Sequence, residues 1–107
     1  MNLQPRKDPL PEIDRMVHEP ARLLIMTHLY LVESADFVYL VNQTGLTWGN
    51  LSVQISRLEQ HGYVVVEKGY RGRKPRSTAA LTPSGRSAFE QYRADMMRML
   101  TGNSGTL

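Results

Sequence analysis

The sequence predicts one mainly α-helical domain that carries a small β-hairpin, which is an α+β fold. Apolar residues recur at helical spacing over most of the chain. This period gives way at 63–66 to the β-branched run Tyr-Val-Val-Val, and a second short strand is expected at 77–81. The 107 residues are enough to bury a single compact core.

The composition narrows the class of protein before any motif is considered. Hydrophobic residues make up 41% of the chain, a fraction that is ordinary for a globular domain. The absence of cysteine excludes disulfides, thiolate metal sites and a cysteine nucleophile. No apolar run approaches the roughly 18 residues of a membrane span, and residues 1–11 hold charges and prolines rather than a signal peptide. We therefore expect a cytoplasmic protein without a membrane partner, built as a flexible arm (1–11), one domain (12–101) and a flexible tail (102–107).

Two helices are predicted at the start of the domain. The first is short, from Glu12 to His18, with three apolar residues on one face, Ile13, Met16 and Val17. The second spans about 21–32, after Pro20, which suits a first helical position because its missing N–H is harmless there. This second helix is apolar around most of its circumference, as expected for a helix at the centre of the fold.

A helix-turn-helix follows. Ser34 can cap a third helix, which ends at Gly45 because glycine adopts the left-handed conformation without steric cost. Thr47 then offers its hydroxyl as the cap of a fourth helix, from about Trp48 to His61. The inner face of this helix is apolar, whereas its outer face is small and polar with almost no acid. Such a face suits the major groove of DNA, where bulk and negative charge would both be excluded.

A basic hairpin and a long terminal helix complete the domain. Between Lys68 and Arg86 there are six basic residues and no acidic one, within a chain of formal net charge +3. This excess is typical of a surface that meets phosphate, and a solvated basic loop is the plain alternative. The loop of the hairpin is expected to span 69–76, longer than a tight two-residue turn. Thr82-Pro83 then opens a helix that runs to about Leu100.

The order of these elements and four short sequence segments resemble those of small MarR-like winged-helix regulators. The segments are Leu46-Thr47-Trp48-Gly49-Asn50-Leu51-Ser52, Leu58-Glu59-Gln60-His61-Gly62-Tyr63-Val64, Gly72-Arg73-Lys74-Pro75-Arg76 and Leu81-Thr82-Pro83-Ser84-Gly85-Arg86. The resemblance covers roughly 12–100. It implies a winged helix-turn-helix with an added C-terminal helix, a homodimer, a recognition helix in the major groove, and a wing along the backbone or minor groove. Trp48 departs from the family pattern, since a small residue or proline is expected beside the cap.

The recognition helix supplies the first set of candidate DNA contacts. Thr47, Asn50 and the first-turn N–H groups are placed to hold a phosphate, because a helix N-terminus favours anions. Base contacts are expected from further along, where Arg57 can bind guanine and Val53 can touch a thymine methyl. Solvent-facing serines and a surface ion pair of the arginine are the alternatives. The full set is Thr47, Trp48, Asn50, Ser52, Val53, Ser56 and Arg57.

The wing supplies the second set, which is Arg71, Arg73, Lys74 and Arg76. Arg73 at the tip is the residue expected to enter the minor groove, since a narrow groove concentrates negative potential. A separate apolar stripe predicts the dimer interface, with its packing on its own domain as the alternative. That stripe comprises Phe89, Tyr92, Met96, Met99 and Leu100 of the last helix, with Ile13, Met16 and Val17 of the first.

These features predict a sequence-specific regulator of transcription that binds double-stranded DNA as a homodimer, with repression as the expected sign. No enzyme is expected: there is no phosphate loop or supported catalytic set, and His18, His28 and His61 lie on separate predicted helices, so neither a metal nor a cofactor is indicated. The rival functions are a protein–protein interaction module and a sequence-indifferent architectural DNA binder. A small-molecule effector, bound in a cleft between the first and last helices, stays open because no residue set names a ligand.

Overall fold

Four helices and a three-stranded sheet make up the part of the chain that the computed structural model describes, residues 12–102. The predicted arm (1–11) and positions 103–107 of the predicted tail lie outside the described residues. The elements are α1 (Pro20–Tyr30), β1 (Ala35–Asp36), α2 (Phe37–Thr44), α3 (Trp48–Gln60), β2 (Val64–Arg71), β3 (Lys74–Leu81) and α4 (Pro83–Leu100). The strands are antiparallel in the order β1-β3-β2. The predicted α+β fold with a hairpin and an added terminal helix is confirmed.

The segment before α1 is not the predicted helix from Glu12 to His18; it consists of turns and irregular backbone. Asp14 caps only a single turn, in which its carboxylate accepts hydrogen bonds from the backbone N–H groups of Met16 (2.8 Å) and Val17 (3.3 Å). The turn does not continue, because Glu19 precedes a proline and its backbone is extended (φ −154°, ψ 131°). Pro20 does begin α1, with Glu19 as its cap.

The start of α2 also differs from the prediction. Its cap is Asp36, whose carboxylate accepts from the N–H of Tyr39 at 2.7 Å, and not Ser34. Ala35 and Asp36 are drawn into the sheet, where they pair with Ala79 and Thr78 of β3. A two-residue strand leaves no periodic signal, so the sequence pattern could not reveal it. The end of α2 is as predicted, with Gly45 in the left-handed conformation at φ 72°.

The hairpin is longer and tighter than predicted. Each strand has eight residues, and the pairing of Arg71 with Lys74 leaves only Gly72 and Arg73 in the turn. Gly72 has φ 65°, while no non-glycine residue of the described chain has a positive φ. A glycine with positive φ at the first of two turn positions is the requirement of a type II′ hairpin. The expected loop at 69–76 is therefore wrong: Pro75 lies in a strand, in a stretch of β3 that β1 does not reach and where no ladder bond on that side needs its N–H.

The core lies between α1, α3 and the sheet, with α4 closing one side. Ile25 and Met26 of α1 and Leu51 and Leu58 of α3 are all completely buried. Each such side chain stabilises the fold by roughly 1.5–3 kcal/mol through loss of apolar surface from water. Their spacing confirms the predicted inner face of the fourth helix, so the opposite face of α3 is directed outward.

The first turn of α4 lies directly against the backbone at the base of the wing. A Cβ added at Gly85 would lie 2.1 Å from the carbonyl oxygen of Tyr63, so this position requires glycine. Thr82 strengthens the same junction, because its N–H donates to the Tyr63 carbonyl (3.0 Å) and its hydroxyl donates to the Gly62 carbonyl (2.6 Å). The wing is thereby fixed relative to α3 and α4.

Candidate nucleic-acid interface

The N-terminus of α3 is capped and exposed, as a phosphate-binding turn requires. The Thr47 hydroxyl accepts a hydrogen bond from the N–H of Asn50 at 3.1 Å. The earlier N–H groups of this turn have no acceptor within the helix. With the helix dipole they form a region of partial positive charge directed at solvent.

The outer face of α3 presents most of the predicted contact residues together. Trp48 and Val53 are about half exposed (54% and 49%), and Asn50, Ser56 and Arg57 are exposed as well. Ser52 is half-buried and lies at the edge of this face. Within residues 12–102 no salt bridge includes Arg57, so its guanidinium is available to a partner.

The wing places its cations on both strands and at the turn. Arg71 and Lys74 are direct cross-strand neighbours, and Arg73 occupies the two-residue turn beside them. All three are exposed, and none belongs to a salt bridge among the described residues. Arg76 differs, because its Nε lies 3.9 Å from the carboxylate of Asp36. Three wing cations are thus unpartnered, and the fourth is tethered to the cap of α2.

A cleft of about 370 Å³ joins the wing to the start of α3. Phe37 and Trp48 provide aromatic surface in the cleft, with ring centroids 6.1 Å apart. Arg71, Lys74 and Arg76 line its wing side. The cleft therefore combines aromatic surface with positive charge, and it lies between the two predicted contact sets. The bulk of Trp48, which departs from the family pattern, makes part of its wall.

Sequence reasoning missed two exposed residues of β2. Tyr70 is 75% exposed, and Lys68 lies two residues before it on the same face of the hairpin. Alternation puts them on the face opposite Arg71. Because the hairpin was expected to be mostly loop, no faces were assigned to it, and an exposed tyrosine carried no signal. A type II′ reading of Gly72-Arg73 would have revealed both faces.

The predicted dimer stripe is divided by the structure. Val17, Phe89 and Tyr92 are 0%, 7% and 6% exposed, and they pack in the core of their own domain. These three are removed from the dimer set, because a side chain buried in its own domain has little surface left for a partner. Half-buried Ile13, Met16 and Met96 and exposed Met99 and Leu100 remain. The exposed Met97, which was not in the set, adjoins them.

The described residues offer little to other kinds of site. No cluster of histidine and acidic side chains within 12–102 could hold a metal ion. His18 instead forms a 2.7 Å hydrogen bond, through Nδ1, with the hydroxyl of Tyr92. No helix in this part of the chain is long and apolar enough to cross a membrane.

Comparison with known proteins gives the family. Residues 21–100 match the family of winged helix DNA-binding domains, and the chain belongs to it. A transcriptional regulator homologue from Pyrococcus horikoshii OT3 is 28% identical, with a TM-score of 0.77 over 82% of this chain and 87% of that one. A protein from Enterococcus faecalis V583, assigned to the MarR family of transcriptional regulators, gives a TM-score of 0.71 at 20% identity over 82% and 79%. BpsR of Bordetella bronchiseptica, whose DNA binding is regulated by 6-hydroxynicotinic acid, gives 0.64 at 20% identity over 81% and 65%.

The chain is therefore a winged-helix DNA-binding protein, and its fold is that of MarR-like transcriptional regulators, as the resemblance implied. In the terms of that fold, α3 is the recognition helix and the β2–β3 hairpin is the wing. Proteins of this class bind DNA and are not enzymes, so the prediction that the chain is not an enzyme is confirmed.

Proposed function

We propose that the protein is a sequence-specific regulator that binds double-stranded DNA as a homodimer, with α3 in the major groove and the wing on the backbone or in the minor groove. The observation that carries this proposal is the pair of cations, Arg71 and Lys74, that face each other across the wing. Like charges directly opposite on neighbouring strands destabilise a hairpin. A polyanion between them turns that repulsion into attraction.

The composition of the α3 face supports direct contact with base edges. Val53 offers a methyl-sized apolar surface for thymine, and Arg57 has the geometry for a bidentate bond to guanine O6 and N7. Ser56 is small enough to let the helix approach the groove closely. Ser52 is half-buried and contributes less to this face.

The wing tip supports a contact to the minor groove. Arg73 occupies the outermost turn of the hairpin and belongs to no salt bridge within 12–102. An arginine in this position is attracted by the negative potential of a narrow minor groove. Arg76, which Asp36 tethers, lines the wall of the cleft instead.

The homodimer is supported by the apolar end of α4. Met97 and Leu100 are 60% and 77% exposed and lie one helical turn apart, with Met99 (40%) beside them. Unbranched methionine adapts readily to interfaces. A twofold dimer would present two recognition helices roughly 34 Å apart, which matches half-sites one turn of DNA apart. Sedimentation should give a dimer for the wild type and a monomer for Met99→Lys/Leu100→Lys, with Ser87→Lys as the control on the same helix.

The sign of regulation and an effector site are further parts of the proposal. Repression is the proposed sign, because a dimer seated on a promoter blocks polymerase without a further domain. An effector is proposed by analogy with BpsR. We place it in the cleft beside Trp48 and not in the expected cleft between the first and last helices, because the aromatic and cationic lining would suit an aromatic acid.

Selection of bound duplexes from a random DNA pool, near physiological salt, tests the function. Enrichment of an inverted repeat with half-sites about one helical turn apart is the expected result. Binding without an enriched motif would point to an architectural DNA binder. Absence of any binding would contradict the proposal and favour a protein-interaction module.

A further inference from the structure

A buried guanidinium behind the recognition helix is connected to the DNA-facing surface through two amide side chains. We propose that Arg22, acting through Gln54, orients Asn50 so that Asn50 turns its NH2 group towards the DNA. The inference rests on the proposed function, since it concerns the surface that meets DNA. Arg22 and Gln54 are positioning residues, and Asn50 is the residue that makes the contact.

A series of hydrogen bonds joins Arg22, Gln54 and Asn50. It begins at Arg22 of α1, which is 9% exposed. Its Nε donates to the Met16 carbonyl (2.7 Å), and one terminal nitrogen donates to the Arg15 carbonyl (3.4 Å). The other terminal nitrogen donates to Oε1 of Gln54 at 2.9 Å. A guanidinium has five donors and no acceptor, so only the oxygen of the Gln54 amide can face it.

The orientation of Gln54 determines which end of the Asn50 amide it can bind. Gln54 is half-buried, and because its oxygen is held by Arg22, its NH2 group, at the other end of the planar amide, is left for a different partner. That group donates to Oδ1 of Asn50 at 3.1 Å. Residues four apart on a helix are neighbours, so this bond follows one face of α3 towards its N-terminus.

Asn50 ends the series at the surface. Its Oδ1 is occupied by Gln54, and its backbone N–H is already bonded to the Thr47 hydroxyl. Asn50 is exposed, and with its oxygen turned back towards Gln54 its NH2 group is the end left for a partner, a group that donates two hydrogen bonds and accepts none. The group that it meets on DNA must therefore be an acceptor: a phosphate oxygen, or an acceptor on a base edge such as purine N7.

Arg22 is what makes this orientation unique. An isolated Gln–Asn pair can bond with either residue as donor, because each amide has both an acceptor and a donor end. Two orientations would present either an oxygen or an NH2 group to the phosphate, and the first would be repelled. Arg22 can only donate, so it excludes the orientation in which the Asn50 oxygen faces the phosphate. Arg22 itself is buried and does not belong to the surface that meets DNA.

The substitution Gln54→Glu tests the inference. The carboxylate still accepts from Arg22, now as a charge-assisted bond, so the thermal midpoint is expected to match or exceed that of the wild type. A carboxylate can only accept from Asn50, so Asn50 must turn its NH2 group inward and its oxygen towards DNA. Duplex affinity, measured by fluorescence anisotropy, should fall by about tenfold or more, the order expected when one charge-assisted contact is lost.

The added negative charge is controlled by making the same substitution in the Asn50→Ala background. If orientation is the cause, Gln54→Glu weakens binding about tenfold when Asn50 is present and less than about threefold when it is absent, a non-additivity expected of coupled residues. Equal losses in the two backgrounds would overturn the inference and assign the effect to charge alone. Failure of the wild type to bind duplex would instead contradict the proposed function.

Two further measurements complete the test. Asn50→Ala should weaken binding uniformly across sequences if the acceptor is a phosphate, and should relax preference at one base pair if it is a base edge. In the free wild-type protein, NMR should place the Gln54 NH2 protons near Asn50 and away from the Arg22 guanidinium. The reverse placement would overturn the inference without any variant.

Discussion

The two sides of this molecule treat their charged and polar groups in opposite ways. Away from the outer face of α3 and the wing, the guanidinium of Arg22 has three acceptors, Asp14 accepts from the Tyr63 hydroxyl, and Asp95 is paired with Arg98 at 3.1 Å. In front of α3 and along the wing, Arg57, Arg71 and Lys74 have no salt bridge among the described residues. The first set of groups stabilises the fold, whereas the second contributes little to it. Exposed cations that have no salt bridge, in the same domain as a buried guanidinium that is hydrogen-bonded to three acceptors, indicate that the partner of the exposed cations comes from outside.

Removing one arginine from each side tests this difference, and the effect on stability should be the largest of those expected. Arg22→Met should lower the free energy of unfolding by about 3 kcal/mol, because two backbone carbonyls and the Gln54 oxygen lose their donor. Arg57→Met should change it by no more than about 0.5 kcal/mol, as expected for an exposed site. Urea denaturation measures both. Similar losses for the two variants would erase the distinction between the two sides.

A matched pair of glycine substitutions extends the comparison to the backbone. Gly85→Ala should cost about 2 kcal/mol, because its Cβ would overlap the Tyr63 carbonyl and force the wing junction apart. Gly49→Ala on α3 has no atom within 4 Å of the new methyl group and should be neutral or stabilising by a few tenths of a kcal/mol. Thermal unfolding distinguishes them. A neutral Gly85→Ala would mean that α4 does not hold the base of the wing.

In the wing, unlike at Arg22, removing cations should leave the stability of the fold unchanged or raised and should weaken DNA binding. Arg71→Gln/Lys74→Gln removes repulsion across the strand pair, so the free energy of unfolding should stay the same or rise slightly, by roughly 0.2–1 kcal/mol. Duplex affinity should nevertheless fall by about tenfold at physiological salt. Denaturation and anisotropy on the same protein give both numbers. A wing that loses stability together with affinity would mean that these cations support the fold.

A smaller effect is expected at Tyr63, from pH. Burial first, and then the hydrogen bond to Asp14, raise the pKa of the Tyr63 hydroxyl to about 12. The unfolded chain releases this proton near pH 10, so the contribution to stability is complete below pH 10 and is lost between about pH 10 and 12. Tyr63→Phe should cost about 1 kcal/mol at neutral pH and show a shallower decline over that alkaline range. Parallel declines in the two proteins would contradict the assignment.

Much of the fold could be predicted from the sequence, because its signals are local. Gly45 and Thr47 end one helix and begin the next by their own backbone and side-chain chemistry, and Leu51 and Leu58 mark the inner face of α3 by spacing alone. Most of the failures depend on contacts between residues that are distant in sequence, such as the pairing of Asp36 with Thr78 that moved the start of α2. The exception is the segment before α1, where the turn at Asp14 stops at the extended Glu19 because proline follows it. The hairpin was predicted to be a long loop because glycine and proline usually indicate loops. In the structure, Gly72 lies in the two-residue turn and Pro75 lies within the paired strand β3.

The candidate site was predicted in composition but not in arrangement. Arg57, Arg71 and Lys74 could be selected from charge alone, and the structure leaves them exposed. The cleft beside Trp48, the tether between Arg76 and Asp36, and the orientation of Asn50 by Arg22 all join residues distant in sequence. No periodic pattern encodes such contacts. For the same reason, Phe89 and Tyr92 could be placed on an apolar stripe, but whether that stripe faced the core or a partner could not be decided.

The salt dependence of DNA binding tests most directly whether the unpartnered cations meet phosphate. Trp48 is the single tryptophan and lines the cleft, so its fluorescence can report binding at each salt concentration. Removing two phosphate contacts with Arg71→Gln/Lys74→Gln should reduce the magnitude of the slope of log K against log salt by about 1.8. The control Arg15→Gln/Arg93→Gln removes the same charge from exposed positions outside α3 and the wing, and it should leave the slope unchanged. Equal slopes in the two double variants would contradict the claim that the wing carries the interface.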